Sequence, residues 1–200
     1  VDSIKLVEKI ALIDHDSKLM MKEFWPGPLT LILPRKKNNI IHDFAVSGLD
    51  TVAVRLPASK LIKNIISKFK KPIAAPSANE SGYVSATDAK HVIDSFGDKI
   101  DLIIDSGRAD YGIESTILDM TCKPYEVKRL GVIDLITLKK KLGKTIKILN
   151  VNKKNISNPN SPGQTLKHYS PRTPLKINII KPNSDDAFLN FGDKISTSHN

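Results

Sequence analysis

The chain has 200 residues, of which 40% are hydrophobic, and this is enough for the core of one ordinary domain with an appendage. No apolar stretch is long enough to span a membrane and no signal-peptide pattern opens the chain, so a cytoplasmic protein is expected. The single cysteine, Cys122, excludes a disulfide framework and a cysteine-based metal site. The formal net charge of +10 favours anionic partners, either nucleotide or nucleic acid, although a lysine-rich solvated surface would give the same value.

The first half of the chain predicts alternating helices and strands. Apolar spacing indicates helices over residues 4–13, 17–24 and 59–69, and strands over residues 29–33, 51–56 and 73–76. Trp25-Pro26-Gly27-Pro28 stops the second helix, because neither proline can continue it. Residues 35–50 are polar and irregular and are expected to form a surface loop.

The second half continues this alternation. A helix over residues 89–96 is expected to end at Gly97, and a shorter helix covers residues 132–142. Strands are predicted over residues 102–105, 115–120 and 125–130. Strands that alternate with helices indicate the α/β class, and the two adjacent late strands favour a mixed sheet over an all-parallel one.

Residues 72–86, PIAAPSANESGYVSA, are the centre of the candidate site. Ser77-Ala78-Asn79 follows a short apolar run, and Ser85 comes just before a helix. Small hydroxyl and amide side chains in this position suit an anionic ligand, because hydroxyls donate and the start of a helix offers free N–H groups. Two structural explanations stay open: Ser85 with Asp88 is an ordinary capping box, and Ser77-Ala78-Asn79 is an Asx turn.

Arg55 lies inside the apolar stretch from Thr51 to Leu56. An unpaired buried arginine is costly, so Arg55 is expected to have a carboxylate partner, either from the protein or from a ligand. Its planar guanidinium suits a carboxylate, which it can bind through two parallel hydrogen bonds.

The region after Asp134 is basic, with no acidic residue before Asp185. Its early part contains Lys139, Lys140, Lys141, Lys144, Lys147, Lys153 and Lys154. This segment is a candidate RNA contact. Residues 150–174 are predicted to be a linker, and its His168-Tyr169 pair favours a strap docked on the domain over a pure spacer. A new strand is expected over residues 175–180.

Five motifs in one order resemble the long form of the YrdC/YciO family, and the resemblance runs from about Phe24 to Pro174. The motifs are Thr51-Val52-Ala53-Val54-Arg55, the stretch with Ser77-Ala78-Asn79, Gly112-Ile113-Glu114-Ser115-Thr116, Arg129-Leu130-Gly131, and Ser161-Pro162-Gly163 with His168-Tyr169-Ser170-Pro171. The resemblance implies a twisted mixed α/β sheet with flanking helices. It also implies a YrdC-like catalytic domain over residues 1–149, a linker over the active site at 150–174, and the start of a small α/β domain at 175–200.

The same resemblance implies an enzyme, a nucleotidyltransferase that forms threonylcarbamoyl-adenylate and pyrophosphate from L-threonine, bicarbonate and ATP. Mg²⁺ is expected to bridge the phosphates, and downstream proteins would transfer the threonylcarbamoyl group to an adenosine in tRNA. Matching positions assign threonine binding to Arg55, Ala75 and Ser115. They assign ATP binding to Thr51, Ser77, Asn79, Ser85, Arg129 and Tyr169, with Ser77 and Ser85 expected at phosphate. No catalytic side chain and no protein-held metal site is expected.

One part of the family pattern is not found in residues 1–200. This is the opening segment with a PTETVYG-like strand and a Lys-x-Arg motif that holds the triphosphate, so the chain is expected to be N-terminally incomplete and to form product poorly by itself. Three alternatives stay open: a non-catalytic module that binds double-stranded RNA or tRNA, an inactive fragment of the enzyme, and a carbamoyl-adenylate-forming relative of the kind found in hydrogenase-maturation proteins. The linker motif argues against the last of these.

Overall fold

A computed structural model describes residues 1–37, 40–148, 173–179, 183, 185–187 and 189. It divides the chain into two compact units, Val1–Ser170 and Pro171–Asn200. Most of the predicted linker at 150–174 lies outside the described residues. In the part of the chain that is described, no helix is long and apolar enough to cross a membrane.

The first unit contains a five-stranded mixed sheet, as predicted. Its strands are β1 (Leu29–Pro34), β2 (Thr51–Val54), β3 (Thr116–Asp119), β4 (Tyr125–Arg129) and β5 (Ile146–Ile148). They lie in the order β2-β1-β3-β4-β5. The pairs β1–β3 and β4–β5 are parallel, whereas β1–β2 and β3–β4 are antiparallel. The predicted α/β class and mixed sheet are therefore confirmed.

Within the described residues five α-helices flank the sheet, and each is preceded by a residue whose side chain accepts a hydrogen bond from the first turn. The helices are α1 (Ile4–Ile10), α2 (His15–Phe24), α3 (Lys60–Phe69), α4 (Ala89–Phe96) and α5 (Leu135–Leu142). Short 3-10 turns cover Asp43–Val46, inside the predicted surface loop, and Gly97–Lys99. The predicted helices are confirmed, with α1 and α5 shorter than expected.

The two faces of the sheet differ in burial. Val52 and Val54 of β2 point to the face that packs with apolar side chains of α1, α2, α3 and α5 in one core cluster. On the other face Thr51 and Thr30 of β1 are half-buried and Ala53 is exposed, whereas Ile32, which pairs with Ala53, and Ile117, which pairs with Thr30, are buried. We call this second side, defined by Thr30, Thr51 and Ala53, the open face.

Three predicted strands are wrong. Residues 73–76 and 102–105 form neither helix nor strand, and their apolar side chains are largely exposed, with Leu102 75% and Ile104 51% accessible. Residues 175–179, the described part of the third, also carry no strand, and Leu175 is 77% exposed. An apolar run forms a strand only where a neighbouring strand accepts its hydrogen bonds, and none among the described residues pairs with these segments. Conversely, β5 was not predicted.

A buried carboxylate joins α2 to the edge of the sheet. The Asp16 side chain is 8% exposed. Its carboxylate accepts a hydrogen bond from the Tyr125 hydroxyl at 2.5 Å and pairs with Lys144 at 2.5 Å and with Lys123 at 3.5 Å. The Lys144 ammonium and the Tyr125 hydroxyl hold the pKa of Asp16 well below its ordinary value of 3.8. Burial and the Asp16 carboxylate raise the pKa of Tyr125.

This arrangement predicts acid-sensitive stability. Since folding lowers the pKa of Asp16, its ion pairs stabilise the fold fully above 3.8, and that contribution is lost as the pH falls below this value. The Asp16→Asn variant should therefore be less stable at neutral pH and should lose less stability between about pH 5 and pH 3. Urea unfolding across this range measures both effects, with exposed Asp110→Asn as the matched control. Parallel pH curves for Asp16→Asn and the unchanged chain would contradict the assignment.

Candidate functional site

Arg55 follows β2 on the open face of the sheet. It is four residues after Thr51, so the alternation of a strand places both on the same face, about 13 Å apart along the strand. Its Nε donates to the Gly27 carbonyl at 3.1 Å, while its two Nη atoms make no hydrogen bond within the described residues. Partial burial of the guanidinium and the charge of Arg129 lower the pKa of Arg55, and Glu114 opposes this shift.

The sequence expectation for Arg55 needs correction. The residue is exposed as a whole, and among residues 1–37 and 40–148 no carboxylate lies within ion-pair distance of it. The run from Thr51 to Leu56 alternates between the core and the open face, so the arginine is on the side that faces away from the core. Its Nη atoms therefore have no carboxylate partner within these ranges.

A hydrogen-bonded cluster centred on Glu114 brings together three of the predicted site residues. The Ser85 hydroxyl donates to Oε1 of Glu114 at 2.7 Å, and the Arg129 guanidinium forms an ion pair with Oε2 through Nη1. Arg129 also donates from Nε to the Ser115 carbonyl at 3.1 Å and from Nη2 to Ser115 Oγ at 3.0 Å. The Ser115 hydroxyl lies 2.8 Å from that of Thr30. Residues far apart in sequence thus form one polar cluster, which we call the Glu114 cluster.

Close backbone packing fixes the Glu114 cluster. A Cβ atom on Gly131 would lie 2.2 Å from the Glu114 carbonyl oxygen and 2.6 Å from the Ser115 carbonyl carbon, so glycine is needed for this approach. The Thr116 hydroxyl donates to the Ile133 carbonyl at 2.7 Å and accepts from its N–H at 3.0 Å. The segment after β4 is therefore held against the start of β3, and this explains the Arg129-Leu130-Gly131 motif.

Other predicted site residues lie outside the Glu114 cluster. Ala75 and Ser77 are exposed on a loop, and Thr51 is at the far end of β2, paired with Pro34. The Asn79 amide donates to the Glu80 carbonyl at 2.8 Å and to the Tyr83 carbonyl at 3.1 Å, while its buried Oδ1 atom has no partner in the part of the chain that the structure describes. An Asx turn needs that oxygen as the acceptor, so Asn79 does not form one. Tyr169, the sixth ATP-site prediction, lies outside the described residues.

The capping-box explanation for Ser85 is wrong. Helix α4 begins after Asp88, whose carboxylate accepts from the His91 N–H at 3.0 Å. Ser85 lies three residues earlier and points its hydroxyl to Glu114 instead. The pattern Ser-x-x-Asp contains two possible capping residues, and the structure uses the second.

Sequence reasoning missed Thr30 and, at the centre of the cluster, Glu114. Glu114 stands in the Gly112-Ile113-Glu114-Ser115-Thr116 motif, but only the hydroxyl residue Ser115 was singled out there. The sequence feature that could have pointed to Glu114 is its position as a lone acidic residue between an apolar and a hydroxyl residue.

A second ion-pair group lies further along β3 and β4. Lys128 bridges Asp119 at 3.3 Å and Glu126 at 2.7 Å, and its side chain is 11% exposed. Burial opposes the charge, but the hydrogen bond to Glu126 and the two carboxylates raise the pKa of Lys128 overall. Within the described residues no group of three or more histidine, cysteine, aspartate or glutamate side chains could hold a metal ion.

The fold and this site define an α/β domain whose open sheet face carries arginine and hydroxyl side chains. The sequence pattern of the Sua5/YciO/YrdC family, described as "Telomere recombination", matches residues 1–131. The chain belongs to this family.

Similar proteins include the threonylcarbamoyl-AMP synthases of Pyrococcus abyssi (strain GE5 / Orsay), 41% identical over 159 residues, and of Bacillus subtilis (strain 168), 38% identical over 161 residues. Each alignment covers 80% of this chain and 46% of the relative, so the chain spans about half the length of these relatives. The crystal structure of P. abyssi Sua5 complexed with L-threonine is also similar, with a TM-score of 0.78 and 39% identity over 84% of this chain and 49% of that one.

Proposed function

We propose that the chain carries the ATP- and threonine-binding region of a threonylcarbamoyl-AMP synthase that acts in tRNA modification. The observation that supports this most directly is the Glu114 cluster. It joins Ser85, Ser115 and Arg129, three residues assigned from the family resemblance, although 44 positions separate the first from the last. Such an assembly suits the binding of an anionic ligand, because the Arg129 guanidinium has five N–H groups and only three of them are used in these contacts.

The proposed threonine site consists of Arg55, Ser115 and the backbone of Ala75. The Nη atoms of Arg55 are available for the threonine carboxylate, and a guanidinium fork matches that group. The hydroxyl of Ser115 is hydrogen-bonded to Thr30 and Arg129, so its position is fixed before any ligand arrives. The solved relative that was crystallised with L-threonine supports threonine as the amino acid.

The proposed ATP site extends along the open face and the loop before α4. Ser77 is exposed, and the buried Oδ1 of Asn79 has no hydrogen-bond partner among the described residues, so both have unused hydrogen-bonding capacity there. Thr51, Ser85 and Arg129 complete the described part of the proposed ATP site, and Tyr169 stays a further candidate outside the described residues. Mg²⁺ would arrive with ATP, because this ion is commonly bound through substrate phosphates.

The proposed reaction begins when the threonine amino group and bicarbonate form a carbamate with loss of water. A carbamate oxygen then attacks the α-phosphorus, the bridging α–β P–O bond breaks, and pyrophosphate leaves with that electron pair. Such a displacement depends on positioning and on stabilisation of spread negative charge. Arg55 and Arg129 would provide these, with no side chain required as a base.

We further propose a tRNA contact on α5 and β5. Lys141 pairs with Glu23 at 2.6 Å and Lys144 with Asp16, whereas Lys139, Lys140 and Lys147 have no ion pair within the described residues. Three unpaired lysines can neutralise phosphates, so binding should weaken as salt rises. A gel shift with tRNA at increasing salt tests this contact independently of catalysis. A cytoplasmic location, beside the proteins that would complete the tRNA modification, fits this role.

The Arg55→Ala variant tests the proposed function. Loss of a charge-assisted contact should weaken threonine binding by about ten- to a hundredfold and leave ATP binding nearly unchanged. Calorimetric titration with each ligand measures both affinities, and Arg108→Ala, on an exposed turn, is the control for loss of one arginine charge. Unchanged threonine affinity in the folded Arg55→Ala variant would remove this assignment. Absence of both threonine and ATP binding in the unchanged chain would overturn the function.

A further inference from the structure

The Ser85 hydroxyl has a fixed hydrogen-bond direction. Its oxygen lies 2.7 Å from Oε1 of Glu114, and the Glu114 carboxylate, paired with Arg129, can only accept. A serine hydroxyl has one hydrogen, so this contact uses the only donor that Ser85 possesses. The lone pairs that remain on Ser85 Oγ can accept a hydrogen bond but cannot supply one.

Glu114 is held so that this direction persists. Its second carboxylate oxygen is taken by Arg129 Nη1, and the side-chain exposures of the pair are 14% for arginine and 17% for glutamate. Its backbone carbonyl accepts from the Val132 N–H at 3.3 Å and is packed against Gly131. The Glu114 carboxylate cannot turn away from Ser85 without also breaking its ion pair with Arg129.

We infer that Glu114 is a positioning residue that makes Ser85 a hydrogen-bond acceptor for the nucleoside half of ATP. Phosphate oxygens accept hydrogen bonds and would find no donor at Ser85. The adenine amino group and the ribose hydroxyls do donate, and they match the free lone pairs. This inference rests on the proposed function, and it replaces the expectation from sequence that Ser85 contacts phosphate.

The first test compares ATP with inorganic tripolyphosphate, which has the phosphates without the nucleoside. In calorimetric titrations of the whole chain, Ser85→Ala should weaken ATP binding by roughly three- to tenfold and leave tripolyphosphate binding unchanged. Ser95→Ala is the matched control, because its hydroxyl donates to the His91 carbonyl at 2.8 Å on the exposed side of α4. It should change neither affinity.

The second test reverses the hydrogen-bond direction through Glu114→Gln. Arg129 only donates, so it keeps the one remaining side-chain oxygen, and the new amide NH₂ then faces Ser85. Ser85 becomes the acceptor from that amide, and its hydrogen points outward. We expect ATP binding to fall by roughly three- to tenfold, with no weakening for tripolyphosphate. Adding Ser85→Ala to this variant should cause no further loss, because both changes act through the same hydroxyl.

The outcomes separate this inference from the proposed function. Equal loss of ATP and tripolyphosphate affinity in Ser85→Ala would place Ser85 at phosphate and overturn the inference alone. Unchanged ATP affinity in that variant would also overturn it. If ATP affinity in Glu114→Gln falls only to the extent that its melting temperature falls, Glu114 has a structural role and does not position Ser85. An unchanged chain that binds no ATP would overturn the function together with the inference.

Discussion

Replacing Gly131 by alanine is expected to destabilise the chain by about 3 kcal/mol, at the upper end of the usual cost of overpacking. The new Cβ would meet three backbone atoms at 2.2 to 2.6 Å, from Glu114, Ser115 and Thr116. Backbone at the start of β3 cannot move aside as the end of a flexible side chain can. The variant should also bind ATP less tightly, since the Glu114 cluster would have to shift.

Gly112→Ala is the matched control for this prediction. Nothing lies within 4 Å of a Cβ built at Gly112, and this glycine has no positive φ. Its replacement should change the free energy of unfolding by less than about 1 kcal/mol, in either direction. Urea unfolding of the two variants side by side measures the difference. Similar unfolding free energies would mean that the segment after β4 can move away from β3 at little cost.

The sheet was predictable where apolar residues alternate with a consistent burial pattern. β1 to β4 fall within two residues of their expected limits, because leucine and valine side chains in these strands meet helices on one face. Residues 73–76 and 102–105 have similar composition but form no strand. Composition indicates that a segment can be a strand, whereas pairing depends on what lies beside it in space. β5 was missed because only Ile146 of its three residues is buried.

The sequence predicted which residues form the site better than it predicted the contacts between them. Motif resemblance identified Ser85, Ser115 and Arg129, which the structure brings together. It could not identify Glu114 as their common partner, because those hydrogen bonds cross 29 and 15 positions of sequence. Local patterns also favoured a helix cap at Ser85, which a tertiary contact overrides. Arg55 was expected to be buried because its neighbours are apolar, although a strand buries only every second residue.

Arg129→Ala is expected to have the other large effect. The guanidinium uses three nitrogens on separate acceptors: Nη1 on the Glu114 carboxylate, Nη2 on Ser115 Oγ and Nε on the Ser115 carbonyl. Its removal leaves a mostly buried carboxylate without its cation. Breaking a fully buried pair costs roughly 3–5 kcal/mol, and the partial exposure of this one favours a value of about 3 kcal/mol.

Two companion variants separate the sources of this loss. Arg129→Lys retains one charge for Glu114 but cannot reach both acceptors on Ser115, so its free energy of unfolding should lie between those of the unchanged chain and Arg129→Ala. Arg129→Ala combined with Glu114→Gln should recover part of the stability, because no orphaned charge remains. ATP affinity should not recover in the double variant, since the cation itself is missing. If the double variant is as unstable as the sum of its single changes, the two side chains do not act as a pair, and the Glu114 cluster is not the unit that holds this site together.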